Sequence, residues 1–291
     1  MLRLDRQRLR QAKTAVLAAH SRVRRAVVRQ FLSYGTNELV EALRRVGVGS
    51  GDSLMLHSAF EPHHGFRGTA GDAVDAFLEA IAPHGNLLMV SMSYTTSALE
   101  YLRKIKVFDV RKAPSAMGMV SEVFRRRTGV LRSAHPAHPV LAFGPRAEWF
   151  VAGHEQCKYS CGPGTPFEKL LQADGKVAFF NVDFSVFTFV HYLEHLTSGM
   201  AGVTLYTDET FDVPVVGRHG ETLMVRTHAF TREAILRRRF SILERTLRKQ
   251  GLIREGRLGA SRFLLVELNA VVRAVEASAT QGVYFYDSAK K

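Results

Sequence analysis

A chain of 291 residues, 46% of them hydrophobic, is long enough for one large domain or two closely joined ones. Its formal charge of +13 attracts polyanions and repels polycations; nine Arg or Lys stand against one Asp in residues 1–30, and ten against three acidic residues in 232–262. No apolar run reaches the eighteen residues a membrane helix needs, and two cysteines, Cys157 and Cys161, speak against a disulfide framework.

In chain order, residues 3–30 read as one Arg-rich amphipathic helix. NELVEALRRVG (37–47) reads as a second, capped by Thr36 or Asn37 and ended near Gly47. SLMLH (53–57) is a short buried strand, residues 70–82 a helix, and NLLMVSM (86–92) a strand again. Residues 93–117 form a long connection, followed by a short helix at 118–127 and, after a Pro- and His-rich loop, the strand PVLAFG. TPFEKLLQA opens a helix with Thr165 at the cap and Pro166 at the first position. KVAFFNV (176–182) is a strand, followed by the HYLEH helix. A strand-rich stretch over 202–228, a long basic helix over 231–250, a helix near 263–276 and a final strand, VYFY, close the chain. Strands alternating with helices predict a layered α/β fold. The basic N-terminus is not followed by an apolar core and a small-residue cleavage site, so the expected location is the cytoplasm.

HYLEH (191–195) puts two histidines and a glutamate on one helix face. H-x-x-E-H is also the signature of one zinc peptidase class. A catalytic zinc needs three protein ligands and an open position. No later segment offers a Glu or Asp in a recognisable ligand pattern, and His154-x-x-Cys157-x3-Cys161 is one ligand short of a closed site. No metal is therefore expected. Two readings remain: a general base with a helper, or a helix that carries histidines into the core. A second cluster, RSAHPAHP (132–139), presents Arg132, Ser133, His135 and His138 from a loop stiffened by prolines. It reads equally as an ordinary connection.

Five segments together resemble the aminoglycoside 3-N-acetyltransferase family. They are LMLHSAF (54–60), FRGTAGDAVDAFLEAI (66–81), FDVRKAPSAMGMVSEVFRRRTGVLRSAHPAHP (108–139), GPGTPFEKL (162–170) and TFVHYLE (188–194). The similarity covers the chain after about residue 35. There are departures from the family pattern. Gly68-Thr69 stands for two glycines, Pro139 for a common serine, and Asn181 and Asp183 for glycines. Ser185 stands where many members carry an aspartate.

The resemblance implies a three-layer α/β/α fold with a mixed central sheet over 35–291, preceded by a basic helical extension at 1–34. It implies acetyl transfer from acetyl-CoA, without a metal, to a small-molecule amine. His191 would be the general base and Glu194 its helper or a holder of the substrate ammonium. His57, Ser58, Gly68, Arg132, Ser133 and His135 would wall the coenzyme; His57 and His135 read equally as structural. Ser185 and His138 would face the acceptor, and His195 would be structural or solvent-facing. The net charge and the serine at 185 lead to an expected acceptor that is anionic, a nucleotide-linked or glycan amino sugar. The alternative is an aminoglycoside-resistance enzyme. A reading of another class is a polyanion- or membrane-binding protein on a retained enzyme scaffold. No nucleic-acid motif is present, while peripheral contact with an anionic membrane and a homodimer are both compatible with the sequence.

Overall fold

The computed structural model describes residues 2–61 and 64–287. In chain order its elements are α1 (Leu2–Phe31), α2 (Thr36–Val46), β1 (Ser53–Ser58), α3 (Ala70–Ile81), β2 (Asn86–Val90), α4 (Ala98–Leu102), β3 (Phe108–Asp109), α5 (Met119–Arg125), β4 (Leu131–Arg132), β5 (Val140–Phe143), α6 (Ala147–Val151), α7 (Pro166–Gln172), β6 (Lys176–Phe180), α8 (Val190–Ala201), β7 (Tyr206–Val216), β8 (Thr222–Phe230), α9 (Arg232–Arg237), α10 (Phe240–Lys249), β9 (Arg254–Leu258), β10 (Ser261–Glu267) and α11 (Leu268–Thr280).

Seven strands form one mixed sheet in the order β4-β5-β2-β1-β6-β10-β9. β1 is parallel to β2 and β6; β5 lies antiparallel beside β2, and β10 antiparallel beside β6. The central strands read as near-continuous apolar runs because helices cover both faces of the sheet. Alternate residues divide between two cores. Met55, Leu88, Val177 and Phe179 face α6, α7, α8 and α11. Leu54, Leu56, Leu87 and Phe180 face α2, α3 and α5. The architecture is therefore three-layer α/β/α with a mixed sheet. A second sheet, β3-β7-β8, is built on the β7–β8 hairpin.

Local chemistry sets the helix ends. The cap of α2 is Gly35, one residue before Thr36: the Gly35 N–H donates to the Glu38 carboxylate at 3.1 Å. It stops at Gly47, whose φ of 112° suits a residue without a Cβ. At α3 the Thr69 hydroxyl accepts from the Asp72 N–H, and the Asp72 carboxylate accepts from the Thr69 N–H at 2.7 Å.

Four expected elements differ. The basic helix expected over 231–250 is two helices. Arg238 (φ −61°, ψ 133°) and Arg239 (φ −129°, ψ 92°) are extended between them. There the backbone pairs with residues 285–287 instead: Arg239 N–H donates to Phe285 O and Asp287 N–H to Arg237 O, each at 2.8 Å. The stretch 263–276 is a strand that turns into α11 at Leu268. Phe263–Val266 is buried on both faces, and such a run has no period that separates strand from helix. VYFY is an irregular segment joined by one bridge, Arg238 to Tyr286. The connection over 93–117 contains α4 and β3. Among the described side chains of α1 only Val28 is buried. Among the described residues no helix is long and apolar enough to cross a membrane.

Candidate active site

A cleft of about 620 Å³ opens at the carboxyl ends of β1, β2 and β6. That edge is where open α/β sheets bind ligands, because the strand-to-helix connections diverge there. Its walls are Leu56–Glu61 from the end of β1, Val90 and Met92 after β2, Ala116–Met119 entering α5, and Val182 with Ser185–Thr188 before α8. Ser121, Phe240 and His191 complete it. Among these residues the only carboxylate is Glu61, and none is Arg or Lys.

His191 sits in the first turn of α8. The i, i+3 spacing brings Glu194 beneath it, and His191 Nδ1 lies 2.9 Å from Glu194 Oε2. Glu194 is fully buried but well supplied with donors. Arg238 donates from Nε to Oε1 at 2.6 Å and from Nη2 to Oε2 at 2.8 Å. The Tyr286 hydroxyl donates to Oε1 at 2.7 Å. Burial alone would raise the Glu194 pKa, but the bond from His191 and the charge of Arg238 outweigh it and hold the carboxyl below its ordinary range. An ionised carboxylate only accepts, so Nδ1 carries the imidazole proton and Nε2 keeps a free lone pair. The His191 pKa is lowered, first by burial and then by Arg238, against the opposing pull of Glu194. The ring is held by stacking on Phe230, with centroids 4.5 Å apart.

His57 and Ser58 line the same cleft. His57 is buried, which lowers its pKa to about 4, and its Nε2 accepts from the Thr188 N–H at 3.4 Å. Ser185 also lines the cleft. The remaining candidates lie off it. Gly68 stands before α3, where a Cβ would meet the Phe66 ring at 2.6 Å. Arg132 is a structural clamp: its guanidinium donates to the carbonyls of Ser91, Val110 and Ala113. Burial lowers its pKa to about 10, so it stays cationic at neutral pH.

Ser133 bonds the Val140 N–H and His154 Nδ1. His154 Nε2 meets the Ser160 carbonyl at 3.0 Å, so that nitrogen carries the proton and Nδ1 accepts from Ser133. His135 stacks on His154 at 4.6 Å. His138 bonds Ser160 through Nδ1 at 2.7 Å, and its ring centroid is 5.3 Å from that of His191. The 133–139 loop thus forms a buried support behind His191 rather than a wall of the cleft. His195 is half-buried against Tyr206 and Tyr159, apart from the partners of His191. Among the described residues no three His, Cys, Asp or Glu side chains are grouped to hold a metal ion.

Arg238 and Tyr286 were not legible as site residues. Arg238 is the middle of three arginines in what reads as a solvated helix face, and Tyr286 belongs to an apolar run. Their approach to Glu194 depends on contacts 44 and 92 residues apart.

Comparison with known proteins places the chain. Residues 55–279 match the family model for aminoglycoside 3-N-acetyltransferase. The chain is 26% identical over 210 residues to aminoglycoside N(3)-acetyltransferase III of Salmonella sp, covering 68% of this chain and 72% of that protein. It is 24% identical over 257 residues to aminoglycoside N(3)-acetyltransferase VII of Streptomyces paromomycinus, covering 80% and 87%. Among solved structures, sisomicin-bound AAC-VIa superposes with a TM-score of 0.68 at 26% identity, over 86% of this chain and 98% of that one. The binary complex of AAC-IIIb with CoASH shares the fold with a TM-score of 0.71 at 21% identity, over 88% and 99%. The chain belongs to the aminoglycoside 3-N-acetyltransferase family, whose members are acyltransferases that use acetyl-CoA.

Proposed function

We propose that the protein moves the acetyl group of acetyl-CoA onto a primary amine of an amino sugar of the aminoglycoside class, in one direct step with His191 as base. The observation that carries this reading is the His191–Glu194 pair, with Nε2 free, on the wall of the cleft at the carboxyl ends of β1, β2 and β6. An ammonium cannot attack a thioester. The ammonium first gives one proton to solvent; as the neutral amine attacks the carbonyl carbon, the C–N bond forms, His191 Nε2 takes the second proton, the C–S bond breaks, and the imidazolium passes that proton to the leaving thiolate. Glu194 holds the imidazole in the Nδ1–H form. Holding thioester and amine together supplies much of the remaining rate. The apolar walls around Val90, Met92 and Met117 suit an acetyl-pantetheine arm. We assign the acetyltransferase domain to 35–291, with 1–34 an appended basic helix.

The anionic, nucleotide-linked acceptor expected from the net charge finds no support in the cleft. No arginine or lysine stands among its described lining residues to hold phosphates. Glu61 is the one carboxylate among the described lining residues. The test is thiol release from acetyl-CoA by the purified protein, with sisomicin, gentamicin, a monoamino sugar and a nucleotide-linked amino sugar as acceptors. Turnover on the amino sugars and aminoglycosides, with the nucleotide-linked sugar at least tenfold poorer in kcat/KM (about 1.4 kcal/mol), supports the reading. A preference for the nucleotide-linked sugar removes the acceptor assignment. No thiol release with any amine removes the activity.

A further inference from the structure

The buried carboxylate beneath His191 poses a chemical problem. A lone carboxylate against an imidazole stabilises the imidazolium, and an imidazolium cannot take a proton from an amine. The structure answers with a second charge. Arg238 forks onto both oxygens of Glu194, at 2.6 and 2.8 Å, and shares Oε2 with His191. Glu194 is fully buried and the Arg238 side chain is 9% exposed, so solvent screens the pair little.

The other groups around the ring do not disturb this balance. His138, from the 133–139 loop, is buried and protonates well below the ordinary histidine range, first through burial and then through the nearby histidines. His57, from β1, does so at about 4. His195, one turn along α8, is also lowered by burial. Burial pushes Cys161, Tyr206 and Tyr286 far above neutrality, so they are uncharged. Phe230 of β8 and Phe240 of α10 are apolar. Glu61 lines the cleft but is exposed to solvent, which screens it. The buried charges facing His191 are therefore one anion and one cation.

We propose that Arg238 is a positioning residue for acetyl transfer: its guanidinium cancels the charge of Glu194 and leaves His191 unprotonated, aligned and ready to accept the amine's proton. The inference rests on His191 being the base. It also explains the break between α9 and α10. The extended backbone at Arg238 and Arg239, paired with residues 285–287, turns one arginine inward and delivers Tyr286 to the same carboxylate. The lowered His191 pKa, with Arg238 next after burial among its causes, agrees with this geometry.

The test compares Arg238→Met, Arg238→Lys and the double variant Glu194→Gln/Arg238→Met with the intact protein. Two readouts are used: the pH profile of kcat/KM, and the titration of His191 followed by NMR of ring-labelled histidine. In the intact protein activity falls as pH drops through a His191 pKa below the ordinary 6.5. Arg238→Met leaves Glu194 uncompensated, so His191 should protonate about one unit or more higher and the acid limb should move up with it. The loss is then about tenfold or greater near pH 6 and shrinks near pH 8.5, while KM for acetyl-CoA stays within about twofold. Arg238→Lys keeps the charge without the fork, and its limb should fall between the two. The double variant removes both charges and keeps an amide oxygen for Nδ1–H; its limb should return toward that of the intact protein. That variant also avoids an unpaired buried anion and keeps the test valid if Arg238→Met folds poorly. A pH-independent loss, or a His191 titration that stays put in Arg238→Met, overturns the proposal and leaves the base reading standing. A His191 titration that rises while the rate does not follow it overturns the proposal through its premise, and full activity in His191→Ala identifies that failure directly.

Discussion

At the scale of single residues, the site divides by what a sequence can encode locally. His191 and Glu194 are three apart on one helix, so their pairing follows from helical geometry alone. His57, Ser58 and Ser185 were reached through the family resemblance, and all three line the cleft. The Arg132–His138 loop carries similarly suggestive residue types, yet they turn inward, Arg132 onto backbone carbonyls, Ser133 onto His154 and His138 onto Ser160. Residue type and spacing cannot separate a histidine that supports from one that reacts; the difference lies in whether a nitrogen reaches the cleft. This distinction gives a direct prediction. His191→Ala should lower kcat by about 10² to 10⁴, the usual cost of a positioned base, while acetyl-CoA still binds. Glu194→Gln should lose less, because the amide oxygen still accepts from Nδ1–H. Steady-state kinetics with acetyl-CoA binding by calorimetry checks both, and near-normal turnover in His191→Ala would take the residue out of the mechanism.

At the scale of elements, the central strands and helices were legible because burial imposes a pattern. The central strands carry the unbroken apolar runs LML (54–56), LLMV (87–90) and VAFF (177–180), as strands covered on both faces do. The misread elements are those fixed by distant partners. Nothing near Arg238 marks the break, since α9 and α10 each keep their own buried residues, Ala234 and then Leu243 and Leu247. β10 was mistaken for helix because a short apolar run has no period of its own. Caps, by contrast, are local and should behave locally. Thr69 and Asp72 exchange bonds at the start of α3, on the opposite face of the sheet from α8. Thr69→Ala removes the acceptor for the Asp72 N–H and should destabilise the fold by about 1 kcal/mol. The denaturant midpoint should fall with an unchanged m-value, and kcat should stay within about twofold. A loss of kcat without a loss of stability would mean that the turn at Gly68-Thr69 takes part in the reaction.

At the scale of the whole molecule, the question is what a charge of +13 does to a site that contains almost none of it. Many acidic residues are neutralised at the surface, as in the exposed pairs of Arg103 with Glu209 and Arg226 with Asp212. Such pairs stabilise little, but they cancel charge at a distance. The unbalanced arginines lie elsewhere, including Arg22, Arg24, Arg25 and Arg29 on the exposed face of α1. The net field therefore acts on approaching substrates rather than on bound ones. An aminoglycoside is a polycation and is repelled before it reaches the cleft; acetyl-CoA is an anion and is attracted. Raising salt from about 20 to about 200 mM shortens the screening length from roughly 20 to roughly 7 Å. Measured with saturating acetyl-CoA, kcat/KM for an aminoglycoside should then rise, by about twofold to fivefold, with kcat unchanged. Measured with saturating acceptor, kcat/KM for acetyl-CoA should fall over the same range. The opposite signs matter, since a general effect of salt on folding or chemistry moves both constants the same way. If efficiency on the aminoglycoside falls with salt instead, an attractive field from carboxylates near the cleft outweighs the net charge, and the acceptor is guided by local anions rather than hindered by the distant arginines.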